Sequence, residues 1–545
     1  MIELYVYDIR NIPIEYRHMF LSIQGIFNKF VDETDKAIYY IWEHSREFYL
    51  NIRIYYSPES LIWLNIYENN GIIKVKRVSS FGTIINIGVK YCDGYVVYDP
   101  RFVHSINVAT TISSLNNAMI IPPSLELGAK SMGLKKIADL REINNKYWHN
   151  DVLKCYEWQL NEYGVGNKDQ IGFDSGYRFA IDYTISEGAC SVDLDPTDPR
   201  QRDLLMKYYD NIKYYGLNMG YPNSTKLERP MVECASKAGL RTGLMPCLKG
   251  APFAFNYSVH SRLPRAKSYH QDNPVEVEYS DDKIYLAFGL SDLGFGMLQG
   301  FYYDQWYDPF RLDEKRTVKL SWWMDALAMD VAPQMVYHYY KRRHKTLDVF
   351  YSAHVYGRIR PSDFPNLADY LERGKGKLKE MDLEVVAFSN HNKWDNNVFR
   401  EYSNHLKDTV KGFIYGFGPE FGDKQCMVYD GMPWVFTTFL HHGDPSTARL
   451  VYDYIKKHGT PQFLVYGCAL GYQIPYGEGV RRLQYLWNYL KEKLGNKIVN
   501  VNAVELVEMA KHCPSAVFSI DPLWVVGGVL AVSAVAAAVY LLGRR

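Results

Sequence analysis

Carboxylates and imidazoles follow short apolar runs repeatedly through the second two-thirds of the chain. Asp193 and Asp195 follow ACSV, Ser291 and Asp292 follow IYLAFGL, Asp325 follows SWWM, and Ser352 and His354 follow DVFY. Asn390 and His391 follow VVAFS, Glu420 follows GFIYGFGP, and His441, His442 and Asp444 follow WVFTTFL. In parallel α/β architectures the residues just past the strand ends line the site, so these positions are the candidates. Carboxyl groups gathered at one rim suit cleavage of a glycosidic bond. One protonated carboxyl gives the leaving oxygen its proton, and a second, ionised, acts as base or nucleophile. Asp292, Asp195, Asp325 and Glu420 are the expected catalytic carboxylates. The competing role for each is a helix N-cap, in which the side chain accepts hydrogen bonds from the free N–H groups of the next helix.

His354 and His391 are expected to position substrate. Trp322, Trp323, Trp434 and Tyr356 offer flat rings for stacking on sugar, although adjacent tryptophans also serve as core filling. His441, His442 and Asp444 are the residue types of a metal-dependent deacetylase. Adjacent side chains on an extended segment point to opposite faces, so only one of the two histidines would reach a metal. No metal or cofactor is expected.

The 62 basic and 61 acidic side chains nearly cancel, which excludes a surface built for a polyanion such as nucleic acid. Aromatic residues make up 15%, with 46 Tyr and 11 Trp, in keeping with a carbohydrate ligand or with dense core packing. The eight cysteines lack zinc-ligand spacing, and some are expected to pair if the body lies outside the cell. Asn223-Ser-Thr225 and Asn256-Tyr-Ser258 match the N-glycosylation acceptor pattern.

The elements that must carry these residues are short strands alternating with helical stretches, the pattern of parallel sheets. Residues 1–70 read as a first α/β module, 71–177 as a second module and linker, and 178–515 as a (β/α)8 TIM-like barrel. The runs assigned to the barrel include ACSVDL, YYGLNMG, IYLAFGL, VKLSWWM, DVFYSA, LEVVAF, KGFIYGF, WVFTTFL and QFLVYG. From Leu523 to Leu542 twenty residues carry no charge, enough for a transmembrane helix across a hydrocarbon core of about 30 Å. The following Arg544 and Arg545 place that end inside, so the expectation is a single-pass cell-membrane protein with its bulk extracytoplasmic. MIELYVYDIR has no apolar signal-peptide core, which leaves either a missing signal or reversed topology.

Segments in a fixed order resemble the GxGYxYP family, which is grouped with the glycoside hydrolases. They are SIQGIFNK, GYVVYDP, SINVATTI, NYSVHSRLP, AFGLSD, LSWWMDALAMDVAP, DVFYSAHVYGRIRPSDFP and VNVNAVELVEMAK, spread from about residue 3 to residue 512. The motif that names the family stands here as Val355-Tyr356-Gly357-Arg358-Ile359-Arg360-Pro361, keeping the second glycine and the proline but neither tyrosine. Where the family resembles SDGDN, this chain has Ser291-Asp292-Leu-Gly-Phe295, retaining the first carboxylate alone. The resemblance implies N-terminal α/β modules ahead of a barrel-like domain acting on glycans. The lost motif residues leave a noncatalytic glycan-binding or envelope protein as the alternative.

Overall fold

The computed structural model describes residues 1–41, 59–173, 180–220, 225–243, 256–272, 275–291, 316–391, 393–416, 423–441, 446–469 and 478–514. Strands β1 (Ile2–Asp8), β2 (Lys36–Ile41) and β3 (Ile73–Arg77) pair in parallel in the order β2-β1-β3. Along β1, Ile2, Leu4 and Val6 are buried, following the two-residue period of a strand with one core face. β4 (Gly94–Val97), β5 (Ala118–Ile121) and β6 (Lys135–Asp139) repeat the arrangement as β5-β4-β6. The helix Arg17–Asn28 is buried from His18 to Asn28, a burial no one-sided surface helix reaches. Gly25 lets the helix Ile181–Ser186 cross it closely, since a Cβ there would meet the Asp182 carbonyl oxygen at 2.7 Å.

A third parallel sheet contains β7 (Gln170–Phe173), β8 (Ser191–Val192), β9 (Leu217–Met219) and β10 (Arg241–Gly243) in the order β10-β9-β7-β8. The remaining strands are β11 (Ile284–Ser291), β12 (Leu320–Met324), β13 (Asp348–Ser352), β14 (Val385–Phe388) and β15 (Gly412–Tyr415). They are followed by β16 (Cys426–Tyr429), β17 (Met432–His441), β18 (Gln462–Ala469) and β19 (Ile498–Val501). β11 to β15, β17 and β18 pair side by side, and β11 returns to β12, closing a parallel barrel of seven strands. β16 is an antiparallel partner on β17.

The expected eight-fold barrel is therefore corrected to seven. The ACSV and LNM runs give β8 and β9, whose edges are taken by β7 in the separate third sheet. β19 occupies the place an eighth strand would need. It pairs with the first half of β11, Ile284–Ala287, while β12 pairs with Phe288–Leu290 further along the same edge. Asn500 of β19 fastens the junction, accepting from the Lys319 N–H at 2.5 Å and donating to the Leu286 carbonyl at 3.1 Å.

The expected transmembrane helix and single-pass membrane placement are also corrected: no helix among the described residues is long and apolar enough to cross a membrane. The Leu523–Leu542 segment itself lies outside the described residues. Cys426 and Cys513 form a disulfide tying β16 to the end of the described chain, while Cys92, Cys155, Cys190 and Cys234 are free thiols. Asn256 is no acceptor for a glycan, because its amide is buried and bonded to the backbone of Tyr40. Asn223 lies outside the described residues.

Candidate active site

β12 is buried at all five residues, and its end delivers Asp325 to the C-terminal rim of the barrel. Asp325 Oδ1 accepts the N–H of Leu327 at 2.9 Å and that of Gly357 at 3.1 Å. The first contact is the cap anticipated for a residue after a strand. The second reaches across to the loop after β13 that carries the family motif. Gly357 has φ +80, a left-handed conformation that a side chain resists, so this position of the motif calls for glycine. Burial pushes the Asp325 carboxyl up to about 6, against the two backbone N–H bonds and the positive charge of Arg241, with Asp330 adding to the rise. Asp325 Oδ2 is buried and has no partner among the described residues.

The motif loop is pinned from both sides. The Tyr370 hydroxyl donates to the Gly357 carbonyl at 2.9 Å, and Arg358 exchanges two backbone hydrogen bonds of 2.8 Å with Thr242 of β10. The two positions where the family has tyrosine hold Arg358 and Arg360. Arg358 pairs with Glu228, and Arg360 pairs with Glu233 at 2.8 Å and with Asp363 at 3.1 Å. Both glutamates lie on the helix Thr225–Lys237, between β9 and β10. A pair of aromatic residues has thus been replaced by two ion pairs that join the third sheet to the barrel.

His391, after β14, has φ +53 and is buried. Its Nδ1 lies 3.2 Å from Glu233 Oε1. Burial, followed by the charges of Arg358, Arg229 and Arg360, pushes the imidazole down to about 3, so the ring is neutral. In that state Nδ1 carries the proton donated to Glu233, leaving Nε2 as an acceptor, and Nε2 is buried without a partner among the described residues. His354, after β13, is also buried and neutral, with its value driven well down by burial and by Arg358 and His391.

The other expected residues fall elsewhere. Trp322 is fully buried and donates to Asp348 Oδ1 at 3.1 Å; Trp434 is fully buried, donates to Ser403 and stacks on Phe413 at 4.3 Å. Neither presents a ring face to a ligand. Trp323 is buried beside Tyr351, whose hydroxyl fills the space above Gly289, where a Cβ would meet it at 2.7 Å. Tyr356 is half-buried, donates to Asp330 and covers Arg241 at 4.5 Å. Asp195 belongs to the third sheet, where its Oδ1 accepts from the Thr197 N–H at 2.7 Å and shapes a turn. Asp292 and Glu420 lie outside the described residues, as do His442 and Asp444. Among the described residues no group of three His, Cys, Asp or Glu side chains is placed to hold a metal ion.

Glu233, Arg241 and Tyr215, which complete this rim, escaped the sequence reading because they come from another sheet. The usable signal was the two arginines in place of tyrosines, since largely buried guanidinium groups call for acidic partners, here Glu228 and Glu233.

Three small α/β sheets feeding a parallel barrel with a polar rim define a multimodular α/β-barrel protein. Family models agree: residues 3–90 match the GxGYxYP_N 1st domain, 92–164 the GxGYxYP_N second domain, and 282–453 the "GxGYxYP putative glycoside hydrolase C-terminal domain". The chain belongs to the GxGYxYP family. Among solved structures it is similar to a "putative hydrolase" from Bacteroides thetaiotaomicron VPI-5482, with 17% identity and a TM-score of 0.74 over 94% of this chain and 95% of that one. At that identity the likeness speaks for the fold alone. No curated protein matches the chain.

Proposed function

We propose that this protein hydrolyses a glycosidic bond in a glycan, with Asp325 as the carboxyl that protonates the leaving oxygen. The observation that carries the reading is the state of Asp325: at a barrel strand end, buried, bonded through the motif glycine, and with one oxygen unpaired among the described residues. A carboxyl near 6 still holds a proton in mildly acidic solution, as a general acid must. Neutral His391 and His354 suit acceptance of hydrogen bonds from sugar hydroxyls. The second carboxylate is proposed to be Asp292, the next residue after β11 in sequence, with Glu420 as the substitute; hydrolysis requires the pair about 5 to 10 Å apart.

The test is release of reducing ends from a polysaccharide panel by the full chain, Asp325→Asn and Asp292→Asn. Both variants are expected to lose about a hundredfold or more in kcat/KM. Glycan binding without cleavage by the parent would replace the hydrolase reading with a noncatalytic glycan-binding one.

A further inference from the structure

Beside Asp325 stands a guanidinium that nothing else in the described molecule uses fully. Arg241 opens β10, and only 8% of it is exposed. It packs against two neighbouring aromatic rings, Tyr215 at 4.2 Å and Tyr356 at 4.5 Å, and its Nε donates to the Tyr215 carbonyl at 3.0 Å. Those contacts fix the plane of the guanidinium and leave an edge over. Nη1 is buried without a partner among the described residues, and so is the Tyr215 hydroxyl. Tyr215 has φ +69, a strained conformation for a bulky residue that holds its ring against the arginine. The Gly357 turn brings Arg241 next to Asp325: a Cβ at Gly357 would lie 3.3 Å from Arg241 Cβ, and the Gly357 N–H is bonded to Asp325.

Three buried polar atoms from one neighbourhood therefore lack partners among the described residues: Asp325 Oδ2, Arg241 Nη1 and Tyr215 Oη. Buried polar groups are paired almost everywhere in native proteins, and an unused donor on a permanent cation is best met by an anion. We infer that Arg241 and Tyr215 form a subsite for a carboxylate on the substrate, so that the glycan is an acidic one built from uronic acids. The inference rests on the hydrolase reading only for the glycan class.

The test is calorimetric binding of acidic oligosaccharides, oligogalacturonate, oligoalginate and chondroitin fragments, to the full-length Asp325→Asn protein, each paired with its carboxyl-reduced counterpart. At least one acidic member is expected to bind, with its reduced counterpart about tenfold or more weaker, and Arg241→Gln should erase that difference. Tyr215→Phe separates recognition from folding. Deleting an unpaired buried hydroxyl leaves Tm unchanged or raised, yet affinity for the acidic ligand should fall several-fold. A neutral member as tightest ligand, no acidic binder at all, or affinity indifferent to both substitutions overturns the inference. Asp325-dependent cleavage of a neutral glycan would sink the acidic subsite and keep the hydrolase. Arg241-dependent binding of an acidic glycan that the parent never cleaves would do the reverse.

Discussion

Asp325 ties acid strength to burial, and the sign of its pH dependence follows. A carboxyl at about 6 instead of 3.8 keeps its proton longer in the folded chain than in the unfolded one. The contribution of Asp325 to stability therefore declines as pH rises through that interval and is flat above it. The folded chain loses the proton donor around the upper end of that interval and above, so kcat/KM should fall as pH rises past about 6, measured on whichever glycan proves to be the substrate. His391 gives a second prediction. Its φ of +53 is tolerated by asparagine, so His391→Asn should shift stability by less than about 1 kcal/mol in thermal unfolding while activity drops about tenfold or more. Equal activity in the variant would remove His391 from the site. The placement of Asp325, His354 and His391 at the barrel rim could be read from the sequence because each lies within three residues of a barrel strand's end. Glu233 and Tyr215 obey no such rule; a helix and a turn of the third sheet bring them to the rim.

The motif loop and the β16 hairpin show how elements hold that rim in place. Gly357→Ala puts a side chain at φ +80 and crowds Arg241 and Leu327, each 3.3 Å from the new Cβ. It should cost about 1–3 kcal/mol and lower activity further than the stability loss explains, because the Gly357 N–H positions Asp325. The Cys426–Cys513 bond closes a separation of 87 residues, so Cys513→Ser should lower stability by about 2–4 kcal/mol, seen as a fall in Tm that reductant reproduces in the parent. Apolar runs identified the strands of the barrel from IYLAFGL through QFLVYG, since strands buried on both faces are continuous in hydrophobicity. Periodicity carries no information on which runs are neighbours. That is why ACSV and LNM were added to the barrel and why the wedge formed by β19 was invisible.

Across the whole molecule the same chain pattern recurs. Val6-Tyr7-Asp8-Ile9-Arg10 at β1 and Val97-Tyr98-Asp99-Pro100-Arg101 at β4 each end the central strand of a three-stranded sheet, with the arginine bonded back to the aspartate two residues earlier. The two N-terminal sheets are thus built alike, a repetition readable in the sequence only once their strand orders are known. A buried polar network joins the first of them to the rest. Gln24 donates to Asn256 at 2.6 Å, Asn28 donates to the Ser258 hydroxyl at 2.8 Å, and Ser258 donates to Asp182 Oδ2 through its N–H at 2.9 Å and its hydroxyl at 2.7 Å. Burial lifts Asp182 from 3.8 to about 6, with the Ser258 bonds opposing the rise. The folded chain therefore holds this proton while the unfolded chain has released it, and the contribution of Asp182 to stability falls as pH climbs through that window, by about 3 kcal/mol for a shift of this size. Asp182→Asn retains the acceptor for Ser258 and cannot ionise, so its Tm relative to the parent should rise as pH climbs from about 4 to about 6, Asp325→Asn should show a difference of the same sign, and the double variant should show the sum, over the opposite trend set by the buried histidines, such as His260 and His391, whose pKa values burial lowers. A parent-like slope in Asp182→Asn would assign the titration elsewhere. Asn256→Ala, which strips Gln24 and the backbone of Tyr40 of their partners, should destabilise by about 2–3 kcal/mol at every pH, because it breaks the junction without removing a titrating group.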